Sequence, residues 1–423
     1  MRYARVATLG VVAALAVWAV TCKAGDGPPP PPGGPPSVDA GVDMRAETGK
    51  STSFTARVTL PQGATASAYR WTVTWGDGAA DSGTLGSTEQ VAASHTYATA
   101  GQYTVRLAAR GPATADTNWD TITAHVDAPG TPQTFIGAGD IGECTFGWPQ
   151  KTAAVIDTIP DATVFTLGDN AYPYGRDVDY AGCYQSTWGR FKKRTHPAPG
   201  NHDYQEHLPT DPSIVDTTAD GYFGYFGVVA GNGPVGNYSY DLGAWHIVVL
   251  NSSFEEKVVL GRVLDTTAQL AWLDADLAAH PAPCTLAIWH HPRFSSGVVH
   301  GSDARLTSFW QHLYNAGADV VLVGHEHNYE RFAPQTPDGT ADPARGIREF
   351  VVGTGGGGYD TLDVSKVTHL GNSEAGSVDH GVLKLTLSPG SYHWEFIPVG
   401  YTLAVGQTPP EYSHTDSGTG SCH

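Results

Sequence analysis

The chain has 423 residues, of which 51 are glycine and 29 proline, and its net charge is −18. That length exceeds one ordinary domain and predicts two folded domains with connecting tails, and the glycine and proline content points to turns and loops rather than long helices. With no basic block beyond Lys192-Lys193-Arg194, the charge argues against nucleic acid as a non-specific partner, and an anionic substrate would need a local positive charge such as metal ions.

At the amino terminus Arg2 and Arg5 precede an apolar run from Val6 to Val20. Residues 1–21 read as an export signal, too short for a comfortable spanning helix. Cys22 stands where a lipoprotein signal places its lipid-modified cysteine, after an imperfect lipobox, Ala19-Val20-Thr21. The expectation is a membrane-anchored lipoprotein, with simple cleavage and secretion as the alternative. Setting Cys22 aside leaves Cys144, Cys183, Cys284 and Cys422, an even set that suits disulfides in an exported protein. Residues 22–36 carry five consecutive prolines, Pro28 to Pro32, and form an extended tether.

Residues 37–128 alternate apolar and polar positions in Ser53 to Leu60, Tyr69 to Trp75 and Tyr103 to Leu107. Short strands separated by turns of the Trp75-Gly-Asp-Gly78 kind predict a small all-β, Ig-like sandwich. Together with His95-Thr-Tyr97 and Ala100-Gly-Gln-Tyr-Thr-Val105, that turn resembles a polycystic-kidney-disease (PKD) domain. The resemblance implies a spacer or an adhesion module that binds surface or matrix material, without chemistry of its own. Asp77 reads as a turn residue rather than a calcium ligand. Gly49-Lys50-Ser51 is no phosphate loop, because Met44 stands where its first glycine belongs.

After a linker, residues 134–423 alternate short apolar runs with helical spacing. Thr134 to Ala138, Thr163 to Leu167, Trp245 to Leu250, Thr285 to Ile288, Val320 to Val323, Arg348 to Val352, Gly381 to Leu387 and Ser391 to Pro398 read as strands. Lys151 to Ile159, Thr266 to Ala279 and Ala304 to Ala316 read as helices. The alternation predicts a layered α/β domain. Five polar stretches punctuate it: Gly139-Asp140, Gly168-Asp169-Asn-Ala-Tyr172, Gly200-Asn201-His202-Asp203, His290-His291-Pro292 and Gly324-His325-Glu-His327. All five follow a strand or precede a loop at the carboxyl ends of strands, where α/β folds gather ligands. Two carboxylates, an amide, a phenol and three imidazoles form the inventory of a two-metal site with one bridging carboxylate.

These five blocks, in this order, together with Tyr172 and the run from His325 to Arg331, resemble calcineurin-like metallophosphoesterases of the purple acid phosphatase type. The resemblance implies a layered α/β/β/α sandwich. It also implies one metal held by Asp140, Asp169, Tyr172 and His327, and a second held by Asp169, Asn201, His290 and His325. Ferric iron would occupy the first site and zinc, manganese or ferrous iron the second. Ala287 replaces the valine usual three residues before the ligand histidine, and His291 falls to a supporting role. The implied reaction is hydrolysis of a small phosphate monoester by in-line attack of a metal-bound hydroxide, with His202 and His300 serving the substrate and transition state. Phosphodiester hydrolysis is the alternative; an adhesion protein with an inactive phosphoesterase domain is a third reading, and it would expect lost ligands.

Cys144 and Cys183 both lie in loops leaving the carboxyl ends of neighbouring predicted strands, whereas Cys284 opens a strand at the opposite edge. Disulfides need Cα atoms within roughly 7 Å, which favours Cys144–Cys183 and Cys284–Cys422. Gly353 to Gly358 lacks the Lys-Ser/Thr of a nucleotide phosphate loop and reads as a flexible rim.

Overall fold

The computed structural model describes residues 35–112, 117–204, 218–231, 233, 235–253, 266–358, 372–400 and 415–423. The export signal, Cys22 and the proline tract lie outside the described residues.

The first domain is a two-sheet sandwich. Strands β1 (Ser37–Asp39), β3 (Ser51–Thr59) and β6 (Gln90–Thr96) form one sheet. The other has the order β2 (Met44–Glu47), β8 (Thr117–Asp127), β7 (Gly101–Arg110), β4 (Arg70–Thr74) and β5 (Ala80–Thr84). Period-2 alternation along β3 sends Phe54, Ala56 and Val58 inward. They meet Trp75, which is fully buried and donates its indole N–H to Asp81 at 2.7 Å. Asp77 is a turn residue: its carboxylate accepts the Ala79 N–H at 3.0 Å and pairs with His95 at 2.8 Å.

The second domain stacks two sheets between helices. One sheet has the order β11 (Thr195–Ala198), β10 (Thr163–Leu167), β9 (Gln133–Ala138), β19 (His380–Ser388), β20 (Ser391–Gly400) and β21 (Asp416–Ser421). The other runs β12 (Tyr238–Leu242), β13 (Trp245–Val249), β14 (Cys284–Ile288), β15 (Val320–Val323), β17 (Arg348–Val352), β16 (Tyr329–Phe332) and β18 (Ser373–Ser377). Among the helices, α1 (Trp148–Asp157) lies on the first sheet, α2 (Asp177–Asp179) and α3 (Asp220–Phe226) flank it, and α4 (Thr266–Ala279) and α5 (Thr307–Ala316) pack together on the second.

Both faces of the central strands are covered, which is why they read as continuous apolar runs. Ile247, Val249, Leu286, Ile288, Val320, Leu322, Phe350 and Val352 point between the sheets. Their neighbours Val248, Ala287, Val321, Val323 and Val351 point outward onto Leu273, Phe309, Trp310 and Leu313 of α4 and α5. The architecture is the layered sandwich expected after an Ig-like domain. Among the described residues no helix is long and apolar enough to cross a membrane.

The domains touch directly. Lys193 pairs with Asp120 at 3.0 Å, and the Val228 N–H is accepted by Asp39 at 3.2 Å. A cavity of about 670 Å³ remains between them. Both expected disulfides form, each with Cα atoms 5.5 Å apart. Cys144–Cys183 joins the segments that follow β9 and β10. Cys284–Cys422 ties the start of β14, in one sheet, to the residue after β21, in the other, so it cross-links the two layers. It closes a separation of 138 residues, so Cys422→Ser is expected to lower stability by about 2–5 kcal/mol. Urea melts of the two proteins measure it, and coincident transitions would contradict the cross-link's role.

Candidate metal centre

The expected ligands all follow the carboxyl ends of parallel strands. Asp140 comes after β9, Asp169 after β10, Asn201 after β11, His290 after β14, and His325 and His327 after β15. The first three belong to one sheet and the last three to the other, so the site sits where the two sheets' carboxyl ends meet. The His290 Nδ1–H donates to the Leu167 carbonyl at 2.6 Å, a direct bond across that junction.

Backbone conformation is unusual at these positions. Asp140, Asp169 and His325 have φ of 57°, 49° and 71°, in the left-handed region that side chains other than glycine seldom occupy. Such residues cost about 1–3 kcal/mol each and persist where surrounding bonds hold them. Here the His325 N–H donates to Asp140 Oδ2 at 2.9 Å and the His202 N–H to Asp169 Oδ1 at 2.8 Å. Gly168 precedes Asp169 with φ of 89°, and a Cβ there would lie 2.5 Å from Nδ1 of His290. The glycine run after β17 is not the flexible rim expected from sequence. It is packed against the centre: the Gly357 N–H donates to the Asp140 carbonyl at 2.6 Å, and a Cβ on Gly353 would meet Asp140 Oδ2 at 2.9 Å.

Two donor sets share Asp169. In the first, the Tyr172 hydroxyl lies 3.0 Å from Asp140 Oδ1, 3.2 Å from Asp169 Oδ2 and 3.0 Å from His327 Nε2. In the second, His290 Nε2 lies 3.3 Å from Asp169 Oδ2, 3.0 Å from Asn201 Oδ1 and 3.2 Å from His325 Nδ1.

The chemistry of these sets fits cations. His290 spends Nδ1–H on the Leu167 carbonyl and His327 spends its own on the Gly358 carbonyl, so each neutral ring presents only a lone pair to the site. Locking the second ring nitrogen in this way is the usual support of a metal-bound imidazole. At His290 that lone pair faces an amide oxygen and another imidazole nitrogen; a proton or a metal ion satisfies the arrangement. Burial opposes charge on His290, yet Asp169 beside it outweighs that and pushes its pKa up to about 9. His325 moves the other way: burial, with the neighbouring histidines, holds it neutral. Burial, then Asp140 and Asp169, lift Tyr172 well above a normal phenol, so it becomes a phenolate only if a cation stands beside it. The ion-pair partners the structure gives Asp140 and Asp169 are histidines. Two buried carboxylates so placed need further positive charge.

His202 and His300 both reach this centre. His202 donates Nδ1–H to the Pro173 carbonyl at 2.7 Å, and its Nε2 lies 3.8 Å from Asp169 Oδ2. The exposed His300 ring lies against His325, with centroids 4.0 Å apart. His291 is buried beside His325 but its Nδ1 pairs with the Ser252 hydroxyl at 2.8 Å, in keeping with a supporting role.

Sequence reasoning missed the carboxylates behind the site. Asp203 accepts the Gly200 N–H at 2.9 Å and the Tyr180 hydroxyl at 2.7 Å, and burial followed by Asp169 raises its pKa to about 6. Three fully buried glutamates hold the loop that carries His300. Glu349 accepts the Arg293 and Phe294 N–H groups, each at 3.0 Å. Glu330 accepts the Ser295 hydroxyl at 2.6 Å and the Ser296 N–H at 2.7 Å, and Glu326 accepts the His300 N–H at 2.7 Å. The one local signal was a run of acidic residues interleaved with the histidines.

Comparison with known proteins agrees with this geometry. Residues 133–329 match the family model of calcineurin-like phosphoesterases and residues 34–126 that of PKD domains. The chain is 28% identical over 241 residues to purple acid phosphatase 18 of Arabidopsis thaliana, covering 53% of this chain and 50% of that protein. To purple acid phosphatase 21 of the same plant it is 28% identical over 283 residues, covering 63% and 60%. It thus spans half to about three-fifths of the length of these relatives. The structure of purple acid phosphatase PPD1 from yellow lupin superposes with a TM-score of 0.60 at 18% identity, covering 92% of this chain and 74% of that one, a likeness of fold. The chain therefore carries a PKD domain followed by a calcineurin-like phosphoesterase domain. The curated relatives matched over the phosphoesterase segment are named purple acid phosphatases.

Glu330 makes this region sensitive to pH. Burial raises its pKa from 4.5 to about 7, so its contribution is fully present below pH 4.5 and is lost as pH rises through about 7, a change of about 3 kcal/mol. Melting temperature followed from pH 4.5 to 7.5 is expected to fall less steeply in Glu330→Gln than in the natural protein. Parallel curves would contradict this.

Proposed function

We propose that this protein is an exported phosphoric monoester hydrolase that works with two metal ions. The observation that carries the reading is the position of Asp169, shared between two converging donor sets with His202 and His300 at their edge. Asp140, Asp169, Tyr172 and His327 would hold one ion, for which ferric iron suits a phenolate. Asp169, Asn201, His290 and His325 would hold the other, zinc, manganese or ferrous iron. When bound, the ions polarise the phosphoryl oxygens and make a nucleophile of water at moderate pH.

The chain's own residues supply the rest. With Nδ1–H committed to Pro173, the His202 ring has only Nε2 to offer the substrate. Protonated there, it donates a hydrogen bond to the phosphoryl group and passes the proton to the departing oxygen. His300 stands at the mouth, its backbone fixed by Glu326, where a second donor can meet the dianion of a monoester. Beside Tyr172 and Pro173 a recess of about 430 Å³, partly apolar through Val178, can take the remainder of a small ester.

Export rests on the signal-like residues 1–21 and Cys22, and the two disulfides suit an oxidising compartment. In this reading the protein is anchored to a membrane at Cys22, the proline tether holds its domains off the surface, and the PKD domain serves as a spacer with surface or matrix material as its ligand.

Four measurements test this reading. Asp169→Asn is expected to lose both metals and all turnover, read by metal analysis and an aryl phosphate assay. His202→Ala keeps its metals and loses about 10²–10⁴-fold in turnover. Tyr172→Phe abolishes any visible absorbance of the iron-loaded protein while leaving the fold intact. Assayed on an aryl phosphate and its diester, the natural protein prefers the monoester; a tenfold preference for the diester would make it a phosphodiesterase instead. Delivery is tested separately. Cys22→Ser releases the enzyme from the membrane fraction, and native protein found wholly in the medium without lipid would overturn the anchor.

A further inference from the structure

A second group of metal-ligating side chains lies at the opposite end of the sheets, against the cavity between the two domains. His246, the second residue of β13, and Asp276 are buried; His280, one residue beyond α4, is half exposed. One ligand atom from each lies within 4.8 Å of the other two. His246 Nε2 is 2.9 Å from Asp276 Oδ2, and His280 Nδ1 is 3.2 Å from Asp276 Oδ1. Asp276 and His280 are four residues apart and so share one face of the helix end.

The surroundings orient these groups. His246 Nδ1 lies 2.8 Å from Asp241 Oδ1, which fixes the ring and leaves Nε2 directed at Asp276. A carboxylate behind an imidazole is the usual support of a metal-binding histidine. The Ser239 hydroxyl donates to Asp276 Oδ1 at 2.7 Å and steadies the third ligand. Burial opposes charge on His246, but Asp241 and Asp276 outweigh it and push its pKa up to about 9, so the place already favours positive charge.

We propose that His246, Asp276 and His280 bind a zinc ion that is separate from the dinuclear centre and fastens the β12–β13 hairpin to the end of α4. Two imidazoles and one carboxylate match zinc, which takes such ligands at about 2.0–2.1 Å in tetrahedral geometry. Ligand atoms at those distances stand about 3.3 Å apart. Here His246 and His280 approach different oxygens of Asp276, at 2.9 and 3.2 Å, and their rings stack with centroids 5.0 Å apart. Binding therefore turns the half-exposed His280 ring until both imidazoles and one carboxylate oxygen meet the ion. The cavity supplies room for a water as the fourth ligand. Binding displaces the proton between His246 and Asp276, and it replaces the bond between His280 Nδ1 and the Asp276 carbonyl, now 2.9 Å long.

The test uses the full protein with its resident metals, equilibrated with zinc chloride and freed of excess. Natural protein is compared with His280→Ala, a change at a half-exposed position beyond the helix, so the metals of the dinuclear centre cancel. The natural protein is expected to retain one more zinc per chain and to melt at a higher temperature with zinc than without. His280→Ala shows neither effect and hydrolyses an aryl phosphate at the same rate. Asp241→Asn, which keeps all three ligands, weakens zinc binding about 10–100-fold. Equal zinc content and equal melting shifts in natural protein and His280→Ala would overturn the proposal and leave His246 as an imidazolium between two aspartates. If His280→Ala does not fold, anomalous diffraction from zinc-soaked crystals of the natural protein decides: a peak beside His246 supports the site, and its absence refutes it.

Discussion

Two buried carboxylates, Asp140 and Asp169, face a phenol and the lone pairs of His290 and His327. Isolated charges of this kind are expensive away from water, and cations among them, whether imidazolium or metal, would offset that cost. Much of the domain serves that constraint. Glycines before these residues let the two sheets' loops approach, and Asp140, Asp169 and His325 adopt left-handed backbone that hydrogen bonding holds in place. The His290–Leu167 bond then holds the two sheets in one register at the site.

Around this centre lies a shell of buried acids whose job is mechanical. Glu326, Glu330 and Glu349 accept backbone N–H groups from successive positions of a single loop, the loop that ends on His300. A flexible loop would lose entropy on gripping a phosphate; one anchored at three points has lost it already on folding. Burial keeps Glu330 and Glu349 readily protonated, so the same anchors are most comfortable in mild acid.

The PKD domain is more closely associated with its neighbour than a bare spacer requires. Ion pairing between Lys193 and Asp120 and the Asp39 contact to Val228 fix its orientation, and the cavity left between the domains is bordered by His246, Asp276 and His280. The loops of the candidate metal centre lie at the carboxyl ends of β9, β10, β14 and β15, whereas this junction lies at the amino ends of β10 and β13. A ligand or metal at the junction can therefore stabilise the assembly without obstructing the centre.

The sequence by itself determined the two-domain order, many of the strands and which polar residues stand at the strand ends, because each of these is written locally. A short apolar run, a glycine and a polar residue specify a strand end and the donor beyond it, as at Leu167-Gly168-Asp169 and Val323-Gly324-His325. The helix over Thr266–Ala279 and the strand over Val320–Val323 were legible for the same reason. Strands β11, β12, β16, β18 and β21 were not, since His196-Pro197 and the Gly/Ser-rich Asp416 to Ser421 carry no clear period and become strands only by pairing with neighbours already in place. The same holds for the carboxylates behind the site. Glu349 reads as one more residue of a buried strand, and only the tertiary structure brings it to N–H groups 55 and 56 residues away. The glycine run after Val352 reads as flexible because glycine is permissive, and the fold packs it against Asp140 and His327. Chemistry that depends on adjacent residues was present in the sequence; chemistry that depends on what excludes water and what lies across the sheet was decided by the fold.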